Sequence, residues 1–323
     1  MEEQFVGRSG LRVSRLGLGT LTWGRDTDAH EAAEQLRAFR DVGGTLIDTA
    51  VSYGDGAAEE LIGALLGEVV RREDVVLCSK AGVARRDGSM IQDPSRRTML
   101  SDLERSLRRL RTDHLDLWLV HGWSSLVPLE ETLGTLDHAV RSGKARYVGV
   151  SNYAGWQTAR AATLLPSLFP TAALAATQVE YSLVQRGVER EVLPAAADLG
   201  LGILAWSPLG RGVLTGKYRT GTPADSRGAS PHLSGFVGTY LGSHERRVVD
   251  AVVTAADGLG CAPVEVALAW LRERTGVSSA LLGARTAAQL RAALASEEIE
   301  LPAEIHLALD EVSEPEIGYP ERF

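Results

Sequence analysis

Short apolar runs alternate with amphipathic stretches along almost the whole chain. The runs at Arg15–Gly19, Thr45–Ile47, Val75–Ser79, Leu115–Val120, Ala145–Val150, Ala175–Gln178, Gly202–Trp206 and Ser279–Leu282 read as strands, because each is short and flanked by glycine or turn residues. Between them the apolar positions recur at helical spacing, over Asp28–Val42, Ala57–Val69, Ser95–Leu110, Leu129–Ser142, Trp156–Leu165, Arg186–Leu199 and Glu245–Leu259. The first of these opens on Asp28 and closes on Gly43-Gly44. Eight strand–helix units in series predict a parallel sheet covered by helices. Eight is also the number that closes a (β/α)8 TIM barrel of about 250 residues. The surplus falls into an N-terminal β-hairpin over Gln4 to Val13, a 37-residue connection from Ser207 to Ser243, and extra C-terminal helices at Pro263–Arg274 and near Pro302–Val312. No domain-sized linker interrupts the series, so one barrel domain is expected over residues 1–323.

Composition narrows the function classes. A formal net charge of −8 argues against nucleic acid or an anionic membrane as partner, since both require a basic surface. The arginines at 105, 108, 109 and 111 lie beside the helical stripe Leu100, Leu103, Leu107 and Leu110, and read as a solvated face. Cys78 and Cys261 cannot make a disulfide framework, and fit a reducing cytosol. The opening Met1-Glu2-Glu3-Gln4 has no signal-peptide pattern, and no run approaches the roughly 18 apolar residues of a membrane span. A cytoplasmic protein is expected, with oligomerisation possible but not indicated.

A barrel of this kind carries its chemistry where strands end. Leu46-Ile47 runs into Asp48, and a loop must fold Tyr53 back over the strand end for the two to meet. The next two strands end at Lys80 and His121, and later ones at Ser151-Asn152, Gln178 and Ser207. A buried lysine is costly without a partner, which Asp48 could supply. An acid, a phenol, an ammonium and an imidazole on one rim are hard to explain by packing. Together they suit carbonyl reduction, with a nearby ammonium expected to bring the phenol below its usual pKa of about 10 and the imidazole directing the substrate oxygen. Two apparent phosphate motifs fail. Gly17-Leu18-Gly19 has Thr22 at the third glycine position, and the stretch from Gly210 to Gly216-Lys217 is one residue too long. No His-Glu-x-x-His occurs, and no metal site is expected.

These residues resemble the catalytic tetrad of the aldo-keto reductase superfamily. The resemblance extends through Leu16-Gly17-Leu18-Gly19-Thr20, Asp48-Thr49-Ala50 with Tyr53-Gly54, Gly149-Val150-Ser151-Asn152, Gln178-Val179-Glu180-Tyr181-Ser182, Ser207-Pro208-Leu209-Gly210-Arg211-Gly212 and Gly283-Ala284-Arg285. Order and spacing are similar to bacterial reductases of the branch related to potassium-channel β subunits. The resemblance implies a TIM barrel that binds NADP(H) extended, without a Rossmann domain, and reduces a small-molecule carbonyl. It implies catalytic roles for Asp48, Tyr53, Lys80 and His121, with Tyr53 as general acid. Ser151, Asn152 and Gln178 match carboxamide-holding positions, and Tyr181 matches the ring that stacks on nicotinamide. Gly19, Thr20, Asp48 and Gly283 belong to the same matched segments, Trp206 adjoins one of them, and all five are expected at the cofactor. Ser207, Pro208, Leu209, Gly210, Arg211 and Lys217 match the pyrophosphate loop, and Arg285 and Gln289 the adenosine end, where a guanidinium suits a 2′-phosphate. Trp23 and Trp123, with Tyr53 and His121, are expected to line the substrate pocket.

The sequence also departs from the pattern. After Gln289 the family usually continues with Glu-Asn, and here Ala292 and Ala293 stand instead. The adenine end should therefore be held more loosely. Gly122-Trp123-Ser124 lacks the usual aspartate, which makes that part of the pocket unusual. Two alternatives accompany the general carbonyl reductase. One is a pathway-specific reductase of a natural-product or deoxysugar intermediate. The other is a cofactor-bound regulatory subunit, against which stands His121 where the channel β subunits carry asparagine.

Overall fold

The computed structural model describes the chain apart from residues 87–88, 225, 231–232, 317 and 320–323. Its first two strands, β1 (Glu3–Phe5) and β2 (Arg12–Ser14), form the predicted antiparallel hairpin. The eight barrel strands are β3 (Leu16–Gly19), β4 (Leu46–Asp48), β5 (Val76–Ala81), β8 (Leu115–Val120), β9 (Ala145–Ser151), β10 (Leu174–Glu180), β11 (Gly202–Trp206) and β12 (Val277–Leu282). They are all parallel and close into a barrel in chain order, with β12 returning to β3. Between β5 and β8 stand β6 (Val83–Arg86) and β7 (Ser89–Gln92), an antiparallel pair outside the barrel.

Two apolar cores arise from the period of two along each strand. One fills the barrel: Leu46, Cys78, Leu117, Leu119, Ala176, Leu204 and Leu281 meet there, and Val6, Leu11 and Val13 of the hairpin belong to the same cluster. The hairpin thus plugs the end at which the strands begin. The other core lies between strands and helices, where Ile47, Leu77, Trp118, Val148 and Val150 meet Leu36, Phe39, Ile62, Leu103 and Leu133. Among the described residues no single helix is long and apolar enough to cross a membrane.

The predicted helices appear at Ala29–Asp41, Ala57–Leu65, Arg96–Leu110, Leu129–Arg141, Gly155–Leu168, Ser243–Leu259, Pro263–Arg272 and Ala303–Val312. Asp28 caps the first, accepting from the amide of Glu31 at 2.9 Å. The segment expected as one helix from Arg186 is a 3-10 turn (Gly187–Glu189) succeeded by a shorter helix (Val192–Leu199), with Pro194 in its first turn. The helix Ala287–Leu294 comes directly after β12, started by Thr286 accepting from the Gln289 amide. The long connection after β11 is not structureless: it holds 3-10 turns at Gly210–Thr215 and Arg227–Ala229 and the short helix Ser234–Gly238.

Candidate active site

The alternation that fills the barrel also delivers its polar groups. Above Leu46 on the inward face of β4 comes Asp48, above Cys78 on β5 comes Lys80, and above Ala176 on β10 comes Gln178. His121 lies just past β8, its amide donating to the carbonyl of Ala81 at 2.9 Å. Apolar layers therefore give way to a polar one at the end where the strands finish. Beyond Asp48 the chain turns through Tyr53–Gly56, with Gly54, Asp55 and Gly56 all at positive φ, and swings the phenol back over the barrel mouth.

The groups form a connected chain. Gln178 Nε2 donates to Asp48 Oδ1 at 2.8 Å, and Lys80 Nζ donates to Asp48 Oδ2 at 2.7 Å. The same ammonium donates to the carbonyl of Thr49 at 2.8 Å and to the Tyr53 hydroxyl at 3.2 Å. Lys80 is fully buried, and burial alone would push its pKa down. The Asp48 carboxylate and the neighbouring phenol reverse that, so Lys80 stays charged. The His121 ring meets the phenol edge-on, with centroids 6.0 Å apart. Desolvation and the adjacent ammonium bring the His121 pKa down to about 3, so its imidazole is neutral. Tyr53 behaves differently from the sequence-based expectation. Burial, helped by the Asp48 carboxylate, raises its pKa against the lowering by Lys80, and the net shift is upward.

Asp48, Tyr53 and His121 line the floor of a cavity of about 1080 Å³, and Lys80 lies buried behind them. Gly19, Thr20, Ser151, Asn152 and Gln178 lie on its wall, as do Trp206, Ser207, Pro208 and Leu209. Asn152 spans the rim, donating to the carbonyl of His121 at 2.9 Å and accepting from Trp206 Nε1 at 3.0 Å. Ser151 Oγ donates to the carbonyl of Gln178 at 3.0 Å. Arg211, Lys217, Gly283, Arg285 and Gln289 line the cavity farther out, with Ala292 and Ala293 beside them. Arg211 is already engaged: it makes a two-pronged pair with Glu180 at 2.8 and 2.6 Å, and its guanidinium lies 3.7 Å from the centroid of Phe236. The Gln289 side chain accepts from the Arg285 amide at 3.0 Å.

Four of the expected positions fall elsewhere. Tyr181 is fully buried outside the cavity, donating to Glu189 at 2.6 Å and edge-on to Trp270, because the chain leaving β10 turns its ring into the helical shell. Trp206, at the end of the next strand, holds the cavity face expected of Tyr181. Trp23 is a core aromatic, fully buried and donating to Gln35 Oε1 at 3.1 Å. Trp123 packs edge-on against Tyr153 and Trp156 and does not line the cavity. Gly210 also stands back from the wall; its positive φ and its approach to Val184 mark it as a turning point of the loop.

Sequence reasoning missed Arg25 and Arg227, which both line the cavity. Arg227 Nη2 donates to the carbonyl of Gly283 at 2.7 Å and so ties the long connection to the end of β12. An arginine inside a glycine-rich segment was the available signal. The donor set suits a multiply anionic ligand: five cationic side chains line the same cavity as the polar groups of the floor.

The profile of the Aldo/keto reductase family matches residues 15–314. An uncharacterized oxidoreductase of Bacillus subtilis (strain 168), YrpG, is 36% identical over 97% of this chain and 96% of its own. A probable voltage-gated potassium channel subunit beta of Oryza sativa subsp. japonica is also 36% identical, over 88% of this chain and 87% of its own. The L-glyceraldehyde 3-phosphate reductase of Escherichia coli (strain K12) is 34% identical, over 90% and 86%. With a matching profile over nearly its whole length and an eight-stranded parallel barrel beneath it, the chain belongs to the aldo/keto reductase family of oxidoreductases.

Proposed function

We propose that the protein is an NADP(H)-dependent carbonyl reductase acting on small aldehydes, ketones or keto-sugars, with Tyr53 as the general acid. The observation that carries this reading is the hydrogen-bonded chain Gln178–Asp48–Lys80–Tyr53, ending beside a neutral His121 at the floor of the cavity. A bound nicotinamide dinucleotide would supply the hydride. Arg25, Lys217, Arg227 and Arg285 would hold its phosphates, Arg211 would shape the pyrophosphate loop through its pair with Glu180, and the rim of Ser151, Asn152, Gln178 and Trp206 would hold its nicotinamide end.

The chain's own residues account for the proton. At neutral pH the phenol of Tyr53 is protonated, so it presents a hydrogen-bond donor to a carbonyl oxygen. As negative charge grows on that oxygen, it becomes a far stronger base than a phenolate, and the proton moves towards it. The phenolate left behind faces Lys80 Nζ at 3.2 Å, and Asp48 keeps that ammonium charged and aimed. Neutral His121 can donate one N–H to the same oxygen without bringing a second proton-transfer group into competition. Arg285 supports NADP(H) over NAD(H), because a guanidinium pairs two-pronged with a phosphate. With Ala292 and Ala293 on the wall, the adenine is expected to add little to the affinity for either cofactor.

The test is NADPH oxidation across a panel of carbonyl compounds with Tyr53→Phe alongside. The variant is expected to bind NADPH normally and to lose turnover by roughly 10²–10⁴-fold, the usual contribution of a matched general acid. Unimpaired turnover in the variant would remove Tyr53 from the role. Equal dissociation constants for NADPH and NADH would remove the cofactor preference and leave the reductase reading in place.

A further inference from the structure

The turn that carries Tyr53 is held from behind by a side chain that never reaches the cavity. Arg109, near the end of the helix Arg96–Leu110, donates through Nη1 to the carbonyl of Val51 at 3.2 Å and through Nη2 to the carbonyl of Asp55 at 3.1 Å. Those carbonyls bracket Tyr53 on either side. The amide of Val51 is fixed as well, donating to the carbonyl of Lys80 at 3.2 Å. The guanidinium lies flat against Gly56, at φ +105°, where a Cβ would fall 2.0 Å from its central carbon. Its far side faces Glu59, fully buried, with Nη1 3.6 Å from Oε2. Glu59 in turn accepts from Ser79 Oγ at 2.7 Å, and Ser79 precedes Lys80 on β5. At Gly63 a Cβ would fall 2.0 Å from the carbonyl oxygen of Arg109, so the helix Ala57–Leu65 and the end of the arginine's helix approach backbone to backbone. That approach sets the guanidinium where it can span both carbonyls.

The arrangement answers a physical need. Asp55 is one of few non-glycine residues at positive φ, and backbone in that region persists only when its surroundings hold it there. A guanidinium is suited to the task, being planar, always charged and able to donate in several directions at once. Sequence patterning placed Arg109 on a solvated face, yet its side chain is only 23% exposed.

We propose that Arg109 is a positioning residue for the reaction: by clamping the Val51 and Asp55 carbonyls against Gly56 and Glu59, it fixes the Tyr53 phenol at its distance from Lys80. This rests on the proposed role of Tyr53 as the acid. Arg109 touches no reacting atom and does not line the cavity, so its removal acts on the orientation of the turn 52–55 and leaves Ser151, Asn152, Gln178 and Trp206 in place. A misplacement on the order of 1 Å at the reacting groups can cost about 100-fold in rate.

The experiment compares wild type, Arg109→Ala and Arg109→Lys for NADPH-dependent carbonyl turnover, NADPH binding by fluorescence and amide exchange over residues 51–56. In Arg109→Ala, kcat is expected to fall about 10- to 100-fold while NADPH affinity stays within about twofold. Exchange over 51–56 should quicken, and millimolar guanidinium should restore part of kcat where sodium at equal ionic strength does not. Arg109→Lys keeps the charge but cannot reach both carbonyls, and should remain impaired. A full kcat in either variant overturns the proposal, as does parallel loss of turnover and NADPH binding with no response to guanidinium. Should Arg109→Ala not fold, Arg109→Lys decides by the same criteria. A wild type that reduces none of the carbonyls with NADPH sinks the reductase reading instead, and unchanged exchange over 51–56 in the variants then still refutes the clamp.

Discussion

Asp48 and Tyr53 both lie within hydrogen-bonding reach of Lys80 because each of the three occupies the last inward position its strand or turn offers. These three, with His121, were legible in the sequence, since a charged residue after an apolar run is visible without coordinates. The direction of the Tyr53 shift was not, because it depends on how far burial, with the Asp48 carboxylate, outweighs the lowering by Lys80. His121 makes the same balance measurable. Its folded pKa of about 3 lies below the ordinary 6.5, so between these values the unfolded chain holds a proton that the folded protein does not. Stability must then rise with pH across that window and fall on acidification. We expect His121→Asn to remove this component, so that the mutant gains in Tm relative to wild type as the pH is lowered from about 6.5 towards 3. A gap in Tm that does not change with pH would mean that the folded imidazole is already protonated.

Among the secondary-structure elements, the strands were read to within a residue or two, and the misreadings lay in the connections that leave them. Whether Tyr181, Trp23 or Trp123 faces the cavity depends on the path of a connection, which composition does not encode. The pair β6–β7 and the helix Ala287–Leu294 were overlooked for another reason: both are short, and one is rich in alanine without a strong stripe. The connection after β11 shows the opposite. Rich in glycine, it is nonetheless fastened by Arg211 to Glu180, by Arg219 to Asp250, by Arg227 to the carbonyl of Gly283 and by the Gln185 side chain donating to the Tyr240 hydroxyl. The Arg211–Glu180 pair is largely buried, and severing it should release the loop. Arg211→Ala is therefore expected to speed amide exchange over residues 210–216 in the free protein, with NADPH restoring less protection than in wild type. Unchanged exchange would show that the loop is held by its packing alone.

At the scale of the whole molecule, the (β/α)8 class was legible because eight apolar runs in series admit few other closures. The double core was less so, since a sequence does not say which alternate residues will face inward until the register is known. One member of the inner core extends the picture beyond catalysis. Cys78 lies one layer beneath the polar floor, fully buried, its thiol pushed well above the usual value first by desolvation and then by the Asp48 carboxylate. Cys261, by contrast, is partly exposed. A sulfhydryl reagent should thus modify one cysteine promptly and the other only when the staves of the barrel part, at a rate set by the population of open molecules. The chain carries its own gauge of global opening, readable by mass as a first and then a second adduct, and a second adduct as prompt as the first would show that the barrel breathes.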